Sequence, residues 1–197
     1  MALRLERALL RLKRMEAALI RSQLAQPDIL PLADYELLRY ALVLGRLQAF
    51  TPGVAGRAQQ PTSSTRPEVL LDPAPISLLR ELLLEQLYVP LREQRNIVLR
   101  LTQLKQRVAT VKEACKQARE TVLAKHAADF SADELDAELC HKVLVLAPGG
   151  GGGSGFVYIG LVARLQAAGI LPSDIFGTSM GALLCRLISR DHAPDVH

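Results

Sequence analysis

The chain has 197 residues, 49% of them hydrophobic, 22% charged and 4% aromatic, with no tryptophan; this balance excludes disorder throughout and calls for an aliphatic core of Leu, Val, Ile and Ala. The formal net charge is +4, and it is unevenly placed: residues 1–24 carry six basic side chains against two acidic ones, whereas residues 143–197 are balanced at three each. A basic excess confined to one segment is not the footprint of a nucleic-acid-binding face, so no nucleic acid is expected as a partner.

The first element, "MALRLERALLRLKRMEAALIRS", has helical periodicity. At about 100° per residue, Leu5, Leu9, Leu12 and Leu19 share a face with Met15, and Arg4, Arg7, Arg11, Arg14 and Arg21 fall roughly opposite. Charges interrupt every apolar run, which is the pattern of neither a signal peptide nor a membrane span. The arginine face is expected to be solvated, to touch an anionic membrane surface peripherally, or to meet a partner protein. The corresponding location is cytoplasmic or membrane-peripheral. A second helical pattern covers residues 33–50 through Leu37, Leu38, Ala41, Leu42 and Leu44, so residues 1–50 read as a helical hairpin.

Residues 51–75 contain Pro52, Pro61, Pro67, Pro73 and Pro75 and little that can form a core. They read as a linker, the least ordered part of the helical region. Residues 76–140 return to helix as a long, coiled-coil-like hairpin. Within them Ile97, Leu101, Leu104, Val108, Val111, Cys115, Ala118 and Val122 alternate steps of four and three, an a/d heptad run suited to packing on the helix of residues 76–88 or to coiled-coil self-association. His126 is expected at the solvated end of this helix. Ser131 and Glu134 have capping-box spacing and open one further short helix. Cys115, Cys140 and Cys185 include no CxxC pair, so neither a disulfide framework nor a metal site is expected, and a reducing compartment fits.

From residue 141 the pattern changes to α/β. "KVLVL" reads as a buried parallel strand closed by Pro148 and glycines, residues 156–168 as a helix, residues 174–176 as a second strand, and "ALLCRLISR" as a second helix. A helical crossover makes the two strands parallel, and both following loops then leave at one carboxyl edge. With neighbouring strands about 4.8 Å apart, the glycine loop and the serine turn can serve one reacting carbonyl. Ser179 stands in Gly177-Thr178-Ser179-Met180-Gly181, a Gly-x-Ser-x-Gly pattern that exposes a nucleophile on a sharp strand-to-helix turn. Gly150, Gly151, Gly152, Gly153 and Gly155 can aim backbone N–H groups at an oxygen that becomes negatively charged, as an oxyanion hole does.

At these residues the sequence resembles the patatin-like phospholipase family, which pairs a Gly-Gly-Gly-x-basic-Gly loop with a Gly-x-Ser-x-Gly elbow in an α/β domain hydrolysing acyl esters of lipids. Gly150, Gly151, Gly152 and Gly155 match the loop, and Gly177, Ser179 and Gly181 match the elbow. The resemblance covers residues 143–190 and implies a serine acyl hydrolase with a lipid or acyl-ester substrate and no cofactor. The sequence departs from the family in two places. The loop's basic residue falls on Ser154, and the aspartate of the family's Ser/Asp dyad, found in an Asp-Gly-Gly or Asp-Gly-Ala motif, has no counterpart here. Asp191, His192, Asp195 and His197 read as tail residues.

The expected fold is therefore α/β: a mainly helical N-terminal region, then residues 141–197 as the first βαβα of a patatin-like domain, truncated and inactive alone. Two other readings stand beside it. One is a helical interaction module with an inert α/β tail. The other is a nucleotide-binding domain, since Gly150-x-Gly152-x-x-Gly155 also fits the dinucleotide fingerprint; its acidic ribose ligand should end the second strand, where the serine turn lies instead.

Overall fold

In the computed structural model the described residues are 2–52, 67–140, 145–168 and 174–190. The middle of the expected linker, the first residues of the expected strand at 142–144, and Asp191, His192, Asp195 and His197 lie outside them. The chain divides into two compact units, Met1–His141 and Lys142–His197.

The first unit is built from α1 (Ala2–Ala25), α2 (Leu32–Leu44), β1 (Ala49–Phe50), β2 (Val69–Leu70), α3 (Pro73–Tyr88), a π-helical turn at Val89–Glu93, α4 (Ile97–Lys125) and α5 (Ala132–Cys140). Helix α1 buries Leu12, Met15, Ala18 and Leu19. Its one buried hydroxyl, on Ser22, donates to the Ala18 carbonyl at 2.7 Å. The heptad positions Leu101, Leu104, Val108, Val111, Cys115, Ala118 and Val122 of α4 are all buried, and α4 packs on α3 and α2. The heptad run is thus used within the chain. Burial pushes the Cys115 thiol up to about 12, which leaves it unreactive near neutral pH.

Helix α2 stops at Leu44 rather than continuing to Phe50. The stop follows from how its last carbonyls are satisfied: Arg80 Nε donates to the Gly45 carbonyl at 2.9 Å and Arg46 Nε to that of Leu42 at 3.3 Å, replacing the missing next turn. A Cβ on Gly45 would come within 2.8 Å of Leu83 Cδ1, so a larger residue there calls for a shift of the Leu83 side chain. The chain then extends, and β1 pairs antiparallel with β2 in the register Ala49↔Leu70 and Phe50↔Val69. Both ends of the proline-rich segment are therefore tied to the helices. Pro73 and Pro75 do not interrupt anything: Pro73 is the first residue of α3, where a missing N–H costs nothing, and Asp72 caps that helix by accepting from the Ala74 N–H at 2.9 Å.

His126 does end α4, but it is not merely solvated. Its Nε2 accepts the Asp72 N–H at 3.1 Å, which places the ring proton on Nδ1, 2.8 Å from Asp129 Oδ2. The ring also stacks on Phe130, which meets Phe50 edge-on at 4.8 Å between centroids. Ser131 and Glu134 form the capping box of α5, with Ser131 Oγ accepting from Glu134 N at 3.2 Å and Glu134 Oε2 from Ser131 N at 3.0 Å. Asp136 on α5 accepts from Tyr40 Oη at 2.6 Å and from Arg119 Nε at 2.9 Å, joining α2, α4 and α5.

The second unit contains β3 (Val145–Leu146), a 3₁₀ turn at Gly152–Phe156, α6 (Val157–Ala167), β4 (Asp174–Ile175) and α7 (Met180–Arg190). β3 and β4 are neighbouring parallel strands in the register Val145↔Asp174 and Leu146↔Ile175. Val162 of α6 packs on them through Leu146 and Ile175. The chain is mainly helical, and among the described residues its α/β part consists of this one two-stranded sheet.

Candidate active site

The parallel pairing sets the loop after β3 beside the turn after β4. Backbone bonds continue the pairing past the strands: Phe176 N–H donates to the Leu146 carbonyl at 2.9 Å and Thr178 N–H to that of Pro148 at 3.4 Å. The turn then closes on itself, Gly181 N–H reaching the Thr178 carbonyl at 3.0 Å and Ala182 N–H that of Ser179 at 2.9 Å. Helix α7 begins at Met180, so its positive dipole end lies directly after Ser179.

Ser179 is exposed and adopts φ +53°, the left-handed region. It is the one described non-glycine residue that does so. For a side-chain-bearing residue this costs about 1–2 kcal/mol, and the surrounding packing enforces it. A Cβ on Gly177 would overlap the backbone of Gly181 and Ala182, and one on Gly181 the Pro148 carbonyl. The two glycines of the pattern are thus demanded by close backbone approach on either side of the serine. Gly155 has the same requirement against the Met180 side chain.

The glycine loop reaches the serine through Gly150. A Cβ there would lie 3.2 Å from Ser179 Cβ and 3.7 Å from its Oγ. Gly152 has φ +57°, and neither it nor Gly153 would place a Cβ within 4 Å of anything. Of the residues singled out in the sequence, Gly150, Gly155, Gly177, Thr178, Ser179, Met180 and Gly181 are therefore assembled in one small region. Gly151, Gly152 and Gly153 belong to the same loop. The Ser154 side chain lies outside the description.

Pro148 was legible only as the end of a strand, yet its carbonyl binds Thr178 and sits against Gly181. No sequence signal marks a carbonyl for that duty. The Tyr158 hydroxyl on α6 lies near Gly149, 3.7 Å from where a Cβ would be. Burial raises the pKa of Cys185 on α7. Among the described residues no group of three or more His, Cys, Asp or Glu is placed to hold a metal ion, and no helix is long and apolar enough to cross a membrane.

Comparison with known proteins matches no family model and no solved structure. Curated sequences do match. The chain is 35% identical over 97 residues to "Lysophospholipase nte1" of Aspergillus fumigatus, 34% over 97 residues to that of Emericella nidulans and 35% over 95 residues to "Lysophospholipase NTE1" of Coccidioides immitis. Each alignment takes in 45–46% of this chain and 6% of the relative. Nearly half of the chain is thus similar to a small part of much longer fungal lysophospholipases.

Proposed function

We propose that this chain carries the nucleophile and oxyanion loop of a serine acyl hydrolase, patatin-like in plan, that acts on lipid acyl esters. The observation that carries the reading is the left-handed Ser179 with Gly150 against its side chain. A strained, exposed serine at a strand-to-helix turn, facing a glycine loop, is the arrangement that nucleophilic acyl transfer requires. The names of the fungal relatives support an acyl ester of a lysophospholipid as the substrate class.

In this mechanism Ser179 Oγ attacks the ester carbonyl carbon and gives its proton to a general base. The carbonyl oxygen becomes an oxyanion held by backbone N–H groups of the loop Gly150, Gly151, Gly152, Gly153 and Gly155 and by the positive end of α7. Collapse of the tetrahedral species expels the alcohol, which takes the proton, and leaves the acyl group on Ser179; water then attacks the acyl-enzyme by the same route. The family resemblance makes the base an aspartate next to glycine, and no Asp-Gly pair stands in these 197 residues. We assign it to sequence outside them.

Hydrolysis of a lysophosphatidylcholine tests this. A chain carried past His197 to an Asp-Gly-Gly or Asp-Gly-Ala pair should turn over, and Ser179→Ala should reduce its rate by at least about 10³-fold. The 197-residue chain should be slower by about 10²–10⁴-fold, the usual worth of a general base. Hydrolysis indifferent to Ser179→Ala would overturn the proposal.

A further inference from the structure

The solvent face of α1 is not simply polar. Leu3, Leu10 and Leu24 are 69%, 48% and 79% exposed, although each could have been polar at no cost to the core. They stand at seven-residue intervals with Ala17 filling the missing place, and Arg7, Arg14 and Arg21, all exposed, fall between them at steps of four and three. By helical geometry these positions form one stripe, about 32 Å long, opposite the face that buries Leu12, Met15 and Leu19. One carboxylate, Glu6, flanks the stripe. The other acidic residue of α1, Glu16, is paired with Arg39 and Arg46.

The positive field continues beyond the helix. Arg100 lies close to Arg21 and to Arg92 of the π-helical turn; burial, and then the charges of those two arginines, push its guanidinium below the ordinary range. Arg92 is exposed.

We propose that this stripe of α1 docks the protein on an anionic lipid surface. Charge selects the occupant. In a parallel pair of copies each stripe arginine would meet its own equivalent, and in an antiparallel pair each would be set into a leucine layer; both bury guanidinium groups without counter-charge. An anionic bilayer satisfies both halves of the pattern. The leucines enter the headgroup–acyl boundary while the arginines extend to lipid phosphates and carboxylates. The proposal does not depend on Ser179 and stands or falls separately from the hydrolase reading.

Co-sedimentation of the full 197-residue chain with phosphatidylcholine vesicles, with and without phosphatidylserine, is the test. The chain should bind vesicles containing phosphatidylserine, and less so as salt is raised. Arg7→Gln, Arg14→Gln and Arg21→Gln together should weaken partitioning about a hundredfold, at about fivefold per residue, while the three Arg→Lys changes should retain it. Leu3→Ser, Leu10→Ser and Leu24→Ser together should also weaken it, with the melting temperature held because all three are exposed. A charge-matched control, Lys105→Gln, Lys112→Gln and Lys116→Gln on the exposed side of α4, should bind as the parent chain does. Equal losses from the arginine and lysine triples would overturn the proposal. So would an absence of binding to anionic vesicles, or a dimer in solution that the leucine triple dissolves while vesicle binding is unchanged.

Discussion

In the unit Met1–His141, side chains from five helices close over one continuous aliphatic core, with Leu12, Leu19, Leu42, Leu83 and Leu104 fully buried. In Lys142–His197, Val162 is the buried centre of a small cluster, and Phe156, Val157, Phe176 and Leu183 stand exposed among the described residues. The two units are held by different physics. The first rests on area removed from water, which is tolerant of local backbone detail. The second holds its serine turn by short-range means: two paired strands, a handful of backbone hydrogen bonds and glycines where no Cβ fits. The main core and the serine turn are thus lodged in separate parts of the sequence.

Substitutions should separate the two. The largest effect is expected for Leu83→Ala, a cavity in the core of the first unit that should cost about 2–5 kcal/mol; Phe176→Ser, which removes an exposed ring, should stay within about 0.5 kcal/mol. Urea midpoints of the two variants compare them directly. Equal destabilisation would mean that the second unit has a core as consequential as the first.

A smaller loss should follow from Asp136→Ala, which strips the acceptor from both Tyr40 and Arg119 and should cost about 1–3 kcal/mol. The hydrogen bond from Arg119 holds the Asp136 carboxyl below its ordinary pKa, so its contribution is complete above an unfolded value of about 3.9 and lost as pH falls through the lower folded value. Burial and Asp136 together raise the Tyr40 pKa; that contribution is complete below about pH 10 and declines as pH rises through the higher folded value. Thermal melts of parent and variant should therefore converge as pH falls through the acid range. A stability difference unchanged down to pH 2 or below would rule out the carboxylate as its source. A loss smaller again than that of Asp136→Ala is expected for Ser131→Ala, which opens the α5 capping box and should cost about 1 kcal/mol, visible as a small fall in melting temperature.

Local signals in the sequence identified much of this. The heptad run of α4, the capping box at Ser131 and the strand–loop–helix order around Ser179 each depend on residues close in the chain, and each has its counterpart in the structure. Features that depend on distant partners were hidden. The pairing of Ala49–Phe50 with Val69–Leu70 joins two short segments with no alternation to announce them. Pro73 looks like a breaker in a proline-rich stretch, and only the position of Asp72 as a cap makes it a helix start. His126 gives no sign of bridging to Asp72, 54 residues away. At the serine turn the residue types were legible, but the left-handed backbone of Ser179 and the service of the Pro148 carbonyl were not. Both arise from the steric fit of two loops brought together by a sheet.

The most direct measurement of the central claim is fluorophosphonate labelling followed by peptide mapping, on the chain carried past His197 to an Asp-Gly pair. One phosphonyl adduct is expected, on Ser179 Oγ, absent in Ser179→Ala and much reduced in Gly181→Ala, where a Cβ against the Pro148 carbonyl displaces the turn. An adduct on another residue with Ser179 unmodified, or labelling of Ser179 undiminished by Gly181→Ala, would contradict it.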